Sequence, residues 1–325
     1  MEQEIFHQRT DLSQLNLAVE QIRATLGSII VGQKETINFL IAGLLADGHI
    51  LIEGVPGVAK TLSAKLVAKS IDASFSRIQF TPDLMPSDVI GTAVFDPRTS
   101  AFEYRKGPVF GHIILIDEIN RAPAKTQSAL FEVMEERQIT VEGHRYQMEE
   151  PFMILATQNP VEHEGTYRLP EAQLDRFLFK IEIGYPTLEE EVLILQNQHQ
   201  HKLEDALNEV KAVLSIEQIV ACRALIKSLH VEPKLIEYVA KIVHETRNNK
   251  SLYLGASPRA SLAIVNSAKA IAAMEGRDFV TPEDIIKVAS PVLAHRIMLT
   301  PDREMEGLST SDVVAQIIQK IEIPR

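Results

Sequence analysis

Lys60 and Thr61 close a Gly/Pro-rich turn that runs Gly54-Val55-Pro56-Gly57-Val58-Ala59. The apolar run Ile50 to Ile52 reads as a buried strand that stops at Gly54, and a helix-forming segment begins near Ala59. Strand, loop and helix N-terminus in that order cradle a phosphate. Backbone N–H groups at the loop and at the helix start face the anion. The phosphate-holding residues are therefore Gly54 to Lys60 with Thr61 and Leu62. Lys60 is expected to reach the outer phosphates and the Thr61 hydroxyl to sit on Mg²⁺. Ala59 stands where the pattern G-x-x-x-x-G-K-S/T has its second glycine. If that position only needs close packing, alanine changes little; if it needs a positive φ, alanine is strained there.

Phosphoryl transfer to water also needs a held Mg²⁺, an oriented nucleophile and positive charge at the γ-phosphate. Asp117-Glu118 follow the apolar run Ile113 to Ile116. A carboxylate at that end of a central strand opens onto the edge that carries the phosphate loop. Asp117 is placed to hold Mg²⁺ through water, and Glu118 to polarise the attacking water as general base. Asn159, in Ala156-Thr157-Gln158-Asn159-Pro160, ends another strand and is expected to hydrogen-bond the γ-phosphate or the water. Thr157 and Gln158 are weaker candidates of the same kind. A turn-initiating Asn before Pro is the plain alternative for Asn159. Arg176, in Leu174-Asp175-Arg176-Phe177, reads by itself as a solvated charge. Arg259 follows Ser257-Pro258 at a helix start, where a cation opposes the macrodipole. An anion beside that helix start would account for it.

These residues need a parallel sheet to hold them. Strands are expected at 50–52, 74–80, within His112–Arg121, within Pro151–Pro160 and at 177–184, with helices between them. Hairpins are expected at 92–106 and 138–148, the second turning at Gly143-His144. Two helices, 13–29 and 34–48, precede the first strand. After Gly184-Tyr185-Pro186 nearly everything reads helical. Thr187-x-x-Glu190, Ser215-x-x-Gln218 and Thr281-Pro282-Glu283-Asp284 are helix starts. The boundary is placed at 185, between an α/β unit (1–185) and a helical unit (186–325).

At 325 residues the chain has length for two domains, each with its own core. The 33 Lys+Arg against 44 Asp+Glu give a net charge of −11, which supplies no bulk attraction for nucleic acid. A single cysteine, Cys222, excludes an internal disulfide framework. The opening MEQEIFHQRTDL has no basic stretch followed by an apolar run, so no signal peptide is expected. No membrane span is expected either, and the location expected is cytoplasmic. His112, His144 and His163 lack metal-ligand spacing.

The order GVPGVAKT, ILIDEINRAP, ATQNP, EAQLDRF and GASPRA closely resembles the MoxR family of AAA+ ATPases, over almost the whole chain. The resemblance implies a P-loop α/β domain around five strands, then a helical lid. It implies ATP and Mg²⁺ as cofactors. Lys60 and Thr61 match Walker A, and Asp117 and Glu118 match Walker B. Asn159 matches sensor 1. Arg176 is similar to an arginine finger acting on a neighbouring subunit's ATP, and Arg259 to sensor 2, reaching down from the lid. Val31 and Gly32 match the segment lining the adenine. The hairpin at 92–106 matches the helix-2 insert of this clade. The family further implies a ring, usually a hexamer, a client protein, and a partner with a von Willebrand factor A domain.

A nucleic-acid translocase or magnesium-chelatase-like motor of the same clade would place Lys/Arg on the hairpins. Here Arg98, Arg105 and Lys106 face Asp96 and Glu103, and Arg145 faces Glu142, so the balance is nearly neutral. A nucleotide-switched binding module would not need Glu118 and Arg176. A small-molecule kinase would need neither Arg176 nor Arg259. Phe95, Phe102 and Tyr104, like Ile139, Val141 and Tyr146, are expected to cover their own hairpins rather than project into a pore.

Overall fold

In the computed structural model, residues 10–55, 59–159, 167, 169–200, 207 and 209–324 are described. Helices α1 (Ser13–Ile29) and α2 (Lys34–Leu45) lead into β1 (His49–Gly54). Then come α3 (Lys60–Ser70), β2 (Phe75–Gln79), the short α4 (Pro86–Ile90) and the hairpin β3 (Gly91–Asp96) with β4 (Ala101–Lys106). Next are β5 (Ile113–Asp117), α5 (Ala124–Glu136), the hairpin β6 (Gln138–Val141) with β7 (His144–Gln147), and β8 (Met153–Gln158). The short α6 (Glu171–Leu174) precedes β9 (Phe177–Ile183). The second hairpin turns at Glu142-Gly143, where both residues have positive φ, one position before the expected turn.

Five strands form one parallel sheet in the order β2-β5-β8-β1-β9. Period-2 alternation sends successive residues to opposite faces. Ile50, Ile52, Ile113, Leu115, Met153 and Leu155 face the side of α1, α2 and α3. Leu51, Ile114, Ile116, Ile154 and Ala156 face α5. Burial on both faces is why these strands read as continuous apolar runs. Asp117 continues the Ile113/Leu115 face, the side on which α3 packs.

The C-terminal part contains α7 (Leu188–Gln200), α8 (Ile216–Lys227), α9 (Pro233–Asn248), α10 (Pro258–Met274), α11 (Pro282–Leu293), α12 (Pro301–Met305) and α13 (Thr310–Lys320). It is not wholly helical, because β10 (Leu252–Leu254) pairs antiparallel with β11 (Met298–Leu299). Capping boxes start α7, α8 and α11, as their sequences imply. Residue 185 marks a change of element type rather than a gap between cores. Leu26 and Leu40 belong to the same buried cluster as Ile219, Ile264, Ala268 and Val292. The helical part therefore rests on the α2 side of the sheet.

The hairpin aromatics divide. Phe95 and Phe102 are exposed and stack edge-on at 5.4 Å. Tyr104 instead meets Tyr146 of the other hairpin at 4.5 Å between centroids. Ile139 is buried. The two hairpins thus touch each other beside the sheet.

Candidate active site

The C-terminal ends of β5 and β9 and the start of α3 open onto one cavity of about 1660 Å³. Val31, Gly32, Ala59, Lys60, Thr61, Leu62 and Asp117 line it, with Glu182 to Pro186 and Glu190. Gly54, the last residue of β1, pairs with Ile183 of β9, and a Cβ on Gly54 would come within 2.7 Å of the Ile183 carbonyl oxygen. Only glycine fits that approach of the loop to β9. Gly32 has φ +78 and lies against the Glu190 carboxylate. Pro56, Gly57 and Val58 lie outside the described residues.

Ala59 has φ 59 and ψ 20, the left-handed region. The position therefore needs a positive φ, and alanine is strained where the motif has glycine. The strain serves to start α3 with its N-terminus at the cavity. Lys60 donates to the Gly54 carbonyl at 2.7 Å, holding the loop's two ends together. Thr61 follows in the first turn of α3, its hydroxyl at the anion-attracting end.

The acid pair at the end of β5 is held by the neighbouring strand. Arg77 Nε donates to Asp117 Oδ2 at 2.6 Å, and Gln79 Nε2 donates to Glu118 Oε2 at 2.8 Å. Arg77 and Gln79 lie on the same face of β2, two residues apart. Arg121 also pairs with Glu118, at 3.2 Å. Glu118 has φ 57, so the residue after β5 leaves the strand's alternation. Thr157 ties the pair together: its hydroxyl donates to Asp117 Oδ1 at 3.2 Å and accepts from the Glu118 N–H at 3.0 Å. Sequence reasoning ranked Thr157 below Asn159. The structure buries Asn159 at the end of β8, and it is Thr157 whose hydroxyl meets both members of the acid pair.

The donor set suits a nucleoside triphosphate with a divalent cation. Asp117 is buried and already needs a cation, which Arg77 supplies. A lysine, a hydroxyl and a helix N-terminus share the same cavity wall. Bound there, Mg²⁺ would neutralise charge on the phosphate oxygens.

The two proposed arginines lie elsewhere. Arg176 immediately precedes β9, whose first residue Phe177 pairs with His49 at the start of β1. The phosphate loop follows Gly54 at the other end of β1, about 17 Å along the strand at 3.3 Å per residue. Arg176 Nε donates to Glu135 Oε2 at 2.6 Å, and its guanidinium lies 5.9 Å from the Phe131 ring centroid. Arg259 Nη2 donates to the other oxygen of Glu135 at 2.8 Å. Both arginines thus share one carboxylate, on the sheet edge opposite the cavity. Arg259 is not among the residues that line its own chain's cavity. The anion expected beside its helix start is Glu135. Ser257 does not cap that helix with its side chain; its hydroxyl donates to Asp175 Oδ2 at 3.0 Å.

Arg77, Gln79, Glu135, Asp175 and Arg296 had no signal in the sequence beyond being polar. Only Arg77 and Gln79, alternating in a strand parallel to the acid-bearing one, were findable from β pairing. No group of three or more His, Cys, Asp or Glu that would hold a metal ion occurs among the described residues.

The profile of the ATPase family associated with various cellular activities (AAA) matches residues 49–179, and that of the AAA lid domain matches 244–317. The chain is 44% identical to "Chaperone MoxR1" of Mycobacterium tuberculosis over 306 residues, covering 91% of this chain and 80% of that one. The chain belongs to the MoxR family of AAA ATPases. "Uncharacterized protein YeaC" of Bacillus subtilis is 45% identical over 311 residues, covering 95% of each chain. A solved structure, a putative ATPase from Cytophaga hutchinsonii, superposes with a TM-score of 0.88 at 42% identity, covering 96% of this chain and 97% of that one. This MoxR-family protein is an ATPase with a five-stranded parallel core and a lid. No helix among its described residues is long and apolar enough to cross a membrane.

Proposed function

We propose that this ATPase hydrolyses ATP with Mg²⁺ in a ring, and that each subunit lends Arg176 and Arg259 to its neighbour's site. The observation that carries this reading is the shared position of the two arginines on Glu135, at the end of the sheet away from their own cavity. Cations placed there help phosphoryl transfer only when another subunit's phosphates reach them. Within a subunit, Lys60 and the loop from Gly54 hold the phosphates, and Val31 and Gly32 border the adenine. Thr61 and Asp117 hold Mg²⁺. Glu118 takes the proton of the attacking water, and Asn159 orients that water or the γ-phosphate. Gln79 must yield Glu118 for that step, because a carboxylate committed to another donor is a poorer base.

The mechanical output is chaperone-like: remodelling, maturation or metal or cofactor insertion of a client protein. Support comes from the relative named a chaperone, and the partner expected is a protein with a von Willebrand factor A domain. A nucleic-acid motor is disfavoured by the near-neutral hairpins, the first of which exposes the aromatic pair Phe95–Phe102 near its turn. The location proposed is the cytoplasm.

Glu118→Gln tests the reading. The variant should bind ATP, hydrolyse it poorly and hold its client. Tagged and drawn from a lysate of its source with ATP, it should carry a protein with a von Willebrand factor A domain that is lost without ATP. Nuclease-sensitive nucleic acid in place of such a protein would put the translocase first.

A further inference from the structure

Arg296 lies just after α11, deep in the lid, with only 4% of its side chain exposed. Burial pushes its pKa down and the Asp175 carboxylate partly offsets this, and a guanidinium stays charged in proteins. A charge so buried is costly unless every donor is used. Here most of the donors converge on three residues that frame Arg176, namely Asp175, Phe177 and Leu178. Nε donates to Asp175 Oδ1 at 2.7 Å. Nη2 donates to the Asp175 carbonyl at 3.0 Å and to the Phe177 carbonyl at 2.5 Å. Nη1 donates to the Leu178 carbonyl at 3.2 Å and to the Val292 carbonyl of its own helix. The peptide neighbours of Arg176 on both sides are therefore anchored, while Arg176 itself projects to Glu135.

Asp175 has a second oxygen, and Ser257 occupies it. Ser257 begins the helix whose second residue is Arg259. One carboxylate thus joins the strand start that carries Arg176 to the helix start that carries Arg259, and Arg296 fixes that carboxylate. The three partners come from segments far apart in sequence, so their meeting is a property of the lid's seating on the core.

We propose that Arg296, acting through Asp175 and Ser257, is the positioning residue for both arginines. It sets their spacing, so that they meet a neighbour's γ-phosphate as one unit and move only when the lid moves. This inference rests on the reading that Arg176 and Arg259 act on the neighbouring subunit.

The test uses Arg296→Lys and Ser257→Ala in the full chain, with Ser257→Thr as the conservative variant. Turnover should fall about 10²-fold for Arg296→Lys and about tenfold for Ser257→Ala, losses typical of a catalytic group displaced by around 1 Å. ATP affinity should stay at the wild-type value, and Ser257→Thr should retain turnover. Each impaired variant is then mixed one-to-one with Glu118→Gln, which has a dead pocket but intact arginines. Mixing should restore activity toward about a quarter of wild type, the share of interfaces in a random ring that pair a working pocket with working arginines. Arg176→Ala mixed with Glu118→Gln is the reference.

Unchanged turnover in both variants overturns the proposal. So does lost turnover that mixing fails to restore while the Arg176→Ala mixture is restored, since the defect then lies in the variant's own pocket. If Arg176→Ala is not restored either, the reading of arginines acting between subunits fails, and this inference with it. Should Arg296→Lys not fold, Ser257→Ala decides by the same criteria.

Discussion

Arg77 and Asp117 form an ion pair across the sheet edge, Nε to Oδ2 at 2.6 Å, with Asp117 buried and half of the Arg77 side chain exposed. The acid expected to hold a divalent cation therefore has a protein cation in place, donated by the adjacent strand. Arg77→Met should leave Asp117 without that partner and lower the melting temperature in metal-free buffer. The loss should be about 1 kcal/mol, because the arginine is half in water. Mn²⁺ should bind the nucleotide-free variant more tightly than wild type, and isothermal titration measures it. Equal Mn²⁺ affinity would mean that the arginine and the metal do not compete.

Ala59 is held at φ 59 at the head of α3. Ala59→Gly should remove the left-handed penalty and stabilise the chain by about 1 kcal/mol despite glycine's entropy in the unfolded state. Urea unfolding reads this as a higher midpoint. A lower midpoint would show that the loop does not keep this conformation in solution.

Arg176 stands about 17 Å from its own phosphate loop at one strand rise per residue. Arg176→Ala should keep ATP binding and lose about 10³ to 10⁵ in turnover, the range for loss of an arginine finger. Fluorescent-nucleotide binding and steady-state phosphate release separate the two effects. Full turnover would remove Arg176 from the chemistry.

His49 is buried at the start of β1, and desolvation with the nearby Arg137 charge lowers its pKa from 6.5 to about 3. His295 is likewise driven well below 6.5 by burial and by Arg296. In the unfolded chain both take up a proton below about 6.5 while the folded protein does not, so the unfolded state is favoured as pH falls. Stability should be flat above pH 7 and decline from about 6.5 downward, by at most about 1.4 kcal/mol per pH unit for each histidine. Denaturant midpoints across that range measure it. A midpoint that rises on acidification would contradict neutral, buried imidazoles.

Much of the fold is legible in the sequence. Ile113 to Ile116 and Ile50 to Ile52 are too apolar for anything but strands covered on both faces, and the acid and glycine that end them mark the open edge. Thr187, Ser215 and Thr281 announce helix starts because capping is a local hydrogen-bond problem. The Ala59 strain was posed by the sequence as a choice of two, and the dihedral angle decided it. The pair β10–β11 has no sequence signal because strands of three and two residues carry too little periodicity to separate from a loop. The single buried cluster across residue 185 has none either, since which apolar face meets which is not written in local pattern.

Sequence alone determined which residues point to the chemistry: a phosphate-loop pattern ending in Lys60-Thr61, the acid pair Asp117-Glu118, a polar residue at the end of β8, and two arginines at element starts. Those assignments depend on residue type and short-range spacing, which the chain states directly. Tertiary structure decided who touches whom. It put Arg77 and Gln79 on the acids, because parallel strands in register bring residues 40 and 39 positions apart side by side. It also took Arg176 and Arg259 away from their own cavity and gave both to Glu135, because a strand's beginning and its neighbour's end lie on opposite edges of a parallel sheet.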